Sequence, residues 1–146
     1  MIFDRTLLFS NAQAITADAA STDVVDLGAT GTVMFAASAL IRDIGRGAHV
    51  PLLIQVVEAF NNLTDHRVIV QCDDNSGFTT PKNVVEQSIP LASLTAGKTF
   101  SITAIPPGVD ERYMRIYYDI TGTAPTLGKI TAGIVADIQT NGVRFS

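Results

Sequence analysis

Arg112-Tyr113-Met114-Arg115-Ile116-Tyr117-Tyr118-Asp119-Ile120 alternates its side chains at every step, and that alternation decides the fold. Successive side chains of an extended strand point to opposite faces. Met114, Ile116, Tyr118 and Ile120 therefore share one face, which calls for a core, and Tyr113, Arg115, Tyr117 and Asp119 share the other. Residues 129–138 repeat the pattern, with Ile130, Ala132, Ile134, Ala136 and Ile138 on the inner face. Residues 99–104 do so again, with Phe100, Ile102 and Ala104 set against three hydroxyls. Strands with one dry and one wet face belong to antiparallel sheets.

Earlier strands are more apolar. Leu52-Leu53-Ile54-Gln55-Val56-Val57-Glu58-Ala59-Phe60 hardly alternates and predicts a strand covered on both sides. Arg67-Val68-Ile69-Val70-Gln71-Cys72 places Cys72 with Val68 and Val70, where a free cysteine packs as a small hydrophobe. Shorter candidates lie at 2–9, 23–27 and 83–89. Turn residues such as Asn61-Asn62, Asp73-Asp74-Asn75-Ser76-Gly77 and Pro106-Pro107-Gly108 separate the runs. Forty-three of the 146 residues are Ile, Val or Thr, which suits pleated strands better than helices. The expectation is an all-β, single-domain jelly roll or sandwich of about eight antiparallel strands spanning 1–146.

Two segments stand outside this pattern. Residues 29–46 are too long for a tight turn and apolar in the middle; they read either as a long loop carrying a turn of helix, the favoured reading, or as a short helix with Phe35, Leu40, Ile41 and Ile44 along one side. Residues 11–20 read as a capped helical turn or an extended arm.

Charged residues make up 16% of the chain and the net charge is −4. A nucleic-acid binder held by phosphate contacts would need a basic patch, and the seven Arg are scattered. No stretch approaches the ~20 continuous apolar residues of a membrane-spanning helix. The N-terminus has an early Asp4 and no basic-then-apolar run, so it does not read as a secretory signal. Cys72 is the only cysteine, which excludes an intrachain disulfide and fits synthesis in a cytoplasm.

Chemistry is sparse. His49, His66 and Cys72 do not form a zinc ligand set, and each histidine borders a turn, so both are expected at the surface. The run 73–77 lacks the spaced pattern of a calcium loop and reads as a strand-ending turn. No serine sits in a nucleophile elbow. The expectation is no catalytic residue, no metal and no cofactor. More is said by Tyr113, Arg115, Tyr117 and Asp119, because Tyr and Arg favour protein interfaces. This face is either a self-association or partner surface or an ordinary solvated one.

Order and spacing then identify a relative. Val25-Asp26-Leu27-Gly28, Ile41-Arg42-Asp43-Ile44-Gly45-Arg46-Gly47 and Pro51-Leu52-Leu53-Ile54-Gln55-Val56 resemble the first half of the capsid cement, or decoration, proteins of short-tailed bacteriophages. The second half agrees through Val70-Gln71-Cys72-Asp73-Asp74-Asn75, Ile89-Pro90-Leu91, Glu111-Arg112-Tyr113-Met114-Arg115-Ile116-Tyr117-Tyr118 and Gly122-Thr123-Ala124-Pro125-Thr126 to Gly128-Lys129-Ile130-Thr131-Ala132-Gly133. Cys72 departs from the pattern, where a small polar residue such as Thr is usual.

The resemblance implies a non-enzymatic jelly roll on the outer surface of a virion head that clamps neighbouring subunits of the major capsid protein. It implies a homodimer, with a trimer also open. Residues 1–11 are then an extended arm, and this arm and the long loop supply shell contacts through Ile2, Phe3, Leu7, Leu8, Phe9, Met34 and Phe35. These side chains either order on a partner or complete the protein's own core. The alternative function is a carbohydrate- or receptor-binding β-domain of a phage spike or tail fibre, with Tyr113 and Tyr117 as sugar platforms.

Overall fold

The computed structural model describes residues 3–46 and 49–138, and among them nine strands form two antiparallel sheets. One sheet runs β1 (Phe3–Ala14), β9 (Lys129–Val135), β4 (Leu52–Glu58), β7 (Thr99–Ile102). In the other, β2 (Ala19–Ala20) and β3 (Val25–Asp26) both pair with β8 (Tyr113–Gly122), which is followed by β5 (Leu63–Asp73) and β6 (Lys82–Pro90). β2 and β3 are two halves of one interrupted edge strand, so the sandwich has eight lanes. Their order, 1-9-4-7 over (2,3)-8-5-6, is that of a jelly roll. The sequence expectation of an all-β sandwich holds.

Alternation builds the core as read. Val68, Val70 and Cys72 of β5 stand opposite Tyr118, Ile116 and Met114 of β8, and all six are buried. From the other sheet, Ile54 and Val56 of β4 stand opposite Ala132 and Ile130 of β9. Both sets join a single apolar cluster between the sheets. β4 is covered on its outer side only at Leu53, which pairs with Gly133. A Cβ at Gly133 would stand 3.0 Å from Leu8 Cδ2 and 3.2 Å from Phe3 Cδ1, so the glycine makes room for β1 to close over it.

That closure corrects the expected arm. Residues 3–11 are extended, but they are docked as the first part of β1 along β9. Phe9 is 0% exposed in the core, Leu7 packs against that core, and Leu8 is buried on the outer face of the sheet. Three contiguous apolar residues cannot all face one way in a strand, and here both faces need them. Ordinary alternation sends Leu7 and Phe9 inward and Leu8 outward, and β1 also carries three register shifts against β9. Leu8 and Phe9 therefore complete the protein's own fold rather than offering themselves as shell contacts, while Leu7 is half-buried against the core. Ile2 lies outside the described residues.

His66 is a second correction. It was expected at the surface near a turn, yet it is 0% exposed on β5. It shares the parity of Val68 and Val70, so the same alternation that buries them turns its imidazole inward.

The ends of the sandwich differ. At one end short turns are tied together: Asn61 Oδ1 accepts from the backbone N–H groups of Thr126 (2.9 Å) and Leu127 (3.1 Å), and Asn61 Nδ2 donates to Thr126 Oγ1 at 2.8 Å. Gly128 there has φ +136°, and a Cβ on it would enter the Phe60 ring. The registers bring the start of β1, the end of β9, the starts of β4, β6 and β8 and the end of β5 to the opposite end. The long loop 29–46 also emerges at that end, between β3 and β4.

Candidate functional site

Residues 29–41 form an apolar tongue at this second end. They carry no Asp, Glu, Lys or Arg, so nothing in them needs water as an ion does. Leu40 N donates to Gly31 O at 3.0 Å and closes the stem, while Ala36 N donates to Val33 O at 2.9 Å and closes a turn at the tip. Met34 and Phe35 are the two central residues of that turn. Phe35 has φ +68°, the left-handed region that turns of this kind normally fill with glycine. An aromatic residue held there stores roughly 1–2 kcal/mol of strain. Its side chain is 100% exposed, Met34 is 79% exposed and Ile41 95%.

Eight large hydrophobic residues stand exposed among the described residues, and five of them, Val33, Met34, Phe35, Leu40 and Ile41, are on the tongue. Single exposed apolar residues are ordinary, but a contiguous set marks a surface meant to be covered. The 29–46 segment is thus a loop, ending in a 3₁₀ turn at Ile44–Arg46.

The base of the tongue is fastened on both sides. Arg112 grips Asp26 with two hydrogen bonds of 2.8 Å, tying β8 to β3. Asp26 Oδ1 also accepts from Gly28 N at 2.8 Å, and Arg42 donates to the Gly28 carbonyl. The Arg112 fork, aided by the Gly28 N–H, holds the Asp26 carboxyl down at about 2. On the other side Asp43 Oδ1 accepts from Gly108 N at 3.0 Å and Gly45 N at 3.2 Å, while its Oδ2 pairs with Arg46. Gly45 is required because the chain passes so close to Pro106 that a Cβ would run into its carbonyl. The anchors are ordered and charged; the tongue between them is bare of charge.

An open cleft of about 500 Å³ lies at the same end of the sandwich, lined by Leu7, Val50, Pro51, Ile134 and Val135, with Asp4 and His49 also on its wall. Phe3, half-buried at the start of β1, pairs with Val135 beside it. Of the expected shell contacts, Phe3, Met34 and Phe35 therefore share one end, whereas Leu8 and Phe9 are buried.

Tyr113, Arg115, Tyr117 and Asp119 do share the outward face of β8, all half-buried. The charged groups of Arg115 and Asp119 are engaged within the chain. Arg115 Nε donates to Gln71 Oε1 at 2.9 Å, Gln71 Nε2 donates to Asn83 Oδ1 at 2.8 Å, and Asp119 pairs with Arg67. The Arg115 guanidinium stands 4.1 Å above the Phe78 ring and 5.9 Å from that of Tyr117, and Arg112 stands 5.0 Å over Tyr113. Phe78, which sequence reading passed over, folds back from the 73–81 turn at φ +50°.

The remaining chemistry-bearing groups serve structure. Asp73 accepts from the N–H groups of Asn75 and Thr80, both at 2.9 Å, which lowers its pKa and shapes the turn. The Cys72 thiol donates to Gly108 O at 3.6 Å, and burial raises its pKa, leaving it protonated. Among the described residues no three His, Cys, Asp or Glu side chains converge as a metal site. No helix among the described residues is long and apolar enough to cross a membrane.

A profile of the family described as Bbp16 matches residues 9–134. No curated protein matches the chain. Among solved structures, the crystal structure of PBSX exported protein XepA aligns with a TM-score of 0.38 and 12% identity, over 90% of this chain and 40% of that one. The chain thus spans less than half of that protein's length.

Proposed function

We propose that this chain, which belongs to the Bbp16 family, is a structural protein of the virion that binds the outside of a phage head and clamps neighbouring major capsid subunits. The observation that carries this reading is the tongue: a charge-free loop with five exposed large hydrophobic residues, held out by anchors at both feet. Such a surface supports binding to an apolar seam between larger neighbours, since burying each of these side chains is worth about 1.5–3 kcal/mol. Met34 and Phe35 enter the seam, and Phe3 and the adjoining cleft border it.

Clamping needs two grips. An isologous homodimer supplies them by placing the same tongue on either side of a two-fold axis, and a trimer would supply three. Bivalent attachment raises the effective concentration of the second tongue, so each contact can be modest while the decorated shell resists the pressure of packaged DNA. The protein acts in this reading by adhesion, without a reaction, cofactor, nucleic acid or membrane. A carbohydrate-binding role for Tyr113 and Tyr117 draws little support, because Arg112 and Arg115 already lie against their rings.

The test is to mix purified protein with undecorated, expanded phage heads and image them. Regular density on the outer surface with the tongue toward the shell is the expected result. Heads that stay bare at micromolar protein would overturn the proposal.

A further inference from the structure

We infer that His66 is an acid-sensitive latch of the sandwich: wedged between Phe60 and Tyr118, with no hydrogen bond to either ring nitrogen, its imidazole fits the core only while neutral and pries the sheets apart once protonated. The ring centroids lie 5.2 Å from Phe60 and 5.5 Å from Tyr118, the latter pair stacked, and His66 is 0% exposed. Neither Nδ1 nor Nε2 has a partner among the described residues. A neutral imidazole leaves one donor and one acceptor unmatched there; an imidazolium would leave two donors and a full charge, at far greater cost.

The surroundings offer that charge nothing. From β8, Tyr118 commits its hydroxyl to Ser10 of β1, across the sandwich. Ile89 of β6 and Ile120 of β8, the register partners of His66, are apolar. The nearest carboxylates, Asp65 and Asp119, sit one residue along their strands and so face the outer side. There Asp65 accepts from Ser88 and Asp119 pairs with Arg67.

Desolvation accordingly pushes His66 from its ordinary 6.5 down to about 4, and the attraction of Asp65 and Asp119 only partly opposes it. Between those two pH values the unfolded chain binds a proton that the folded chain refuses. Stability is therefore full above pH 6.5 and falls as the pH drops toward 4, by up to roughly 300-fold in the folding equilibrium. The carboxylates with lowered pKa, Asp4, Asp26, Asp73 and Asp110, release their contributions below about 3.8. The two windows are separate.

Urea unfolding of the full chain and of His66→Phe, measured from pH 7.5 to 3, tests this. The expected result is a midpoint that falls between pH 6.5 and 4 in the parent chain and stays flat over that range in His66→Phe, with both declining below pH 4. Parallel declines in the two proteins would overturn the inference. Should His66→Phe fail to fold, NMR titration of the His66 Cε1–H in the parent chain decides: a neutral imidazole at pH 5 supports the latch, and a midpoint near 6.5 sinks it.

Discussion

Tyr118 donates its phenolic proton to Ser10 Oγ across the sandwich at 2.7 Å. The direction follows from the next link, because Ser10 Oγ in turn donates to the side-chain amide oxygen Oε1 of Gln13, also at 2.7 Å, and that oxygen has no proton to give. Burial raises the phenol's pKa, so the donor keeps its proton throughout the ordinary pH range. The relay ties β8 to β1 through the core. Tyr118→Phe should cost about 1–3 kcal/mol, since it strands the Ser10 oxygen without its donor. Chemical unfolding checks this, and a loss below about 0.5 kcal/mol would show the link to be ornamental.

Because Phe9 is in the core rather than on a free arm, Phe9→Ala should destabilise the fold by about 3–5 kcal/mol. Deleting residues 3–11 should prevent folding, as it removes an edge strand of one sheet. A truncated chain with an intact β-rich circular dichroism spectrum and a cooperative melt would contradict the docking of β1.

The tongue should behave in the opposite way. Met34→Ser combined with Phe35→Ser touches no core contact, so stability should stay within about 0.5 kcal/mol of the parent. Occupancy on expanded heads should nonetheless fall at least tenfold, measured by cosedimentation. Equal occupancy of parent and double variant would remove the tongue from the contact while leaving the fold untouched.

Gly45 and Gly31 offer a matched pair at the tongue's base and stem. Gly45→Ala must displace the Pro106 carbonyl and should cost about 1–3 kcal/mol. Gly31→Ala meets open space and should be neutral or nearly so. Thermal melts that rank the two in the reverse order would show the base to be differently built.

Much of the core was legible from period-two alternation. β8 and β9 each show it over several residues, and the inward set Met114, Ile116 and Tyr118 is buried as read. The same rule reaches back to His66, whose parity was available but was outweighed by its closeness to a turn. β1 was legible only in part: 2–9 stood as a strand candidate, but Leu7-Leu8-Phe9 is a contiguous apolar block, and a block without alternation looks the same in an arm, a loop or a strand. β2, two residues long, is too short to leave a period, and β3 is the two-residue strand found within the 23–27 candidate. Phe100 read as a core residue and is half-buried on the short edge strand β7, since alternation assigns a face but not a distance from the edge.

For the site, the absence of charge from 29–41 was visible in the sequence, as was the apolar middle of the loop. The turn that lifts Phe35 fully clear of the fold, and the Arg42 and Asp43 anchors that hold its feet, depend on contacts with Gly28 and Gly108 that no local pattern encodes.

An uncharged tongue has one more consequence. A grip made through Met34 and Phe35 involves no ions to be screened, so adding salt should leave it as firm or tighten it slightly. Particles moved from fresh water to brine would keep their coat, where a coat held by Lys and Asp pairs would loosen and shed.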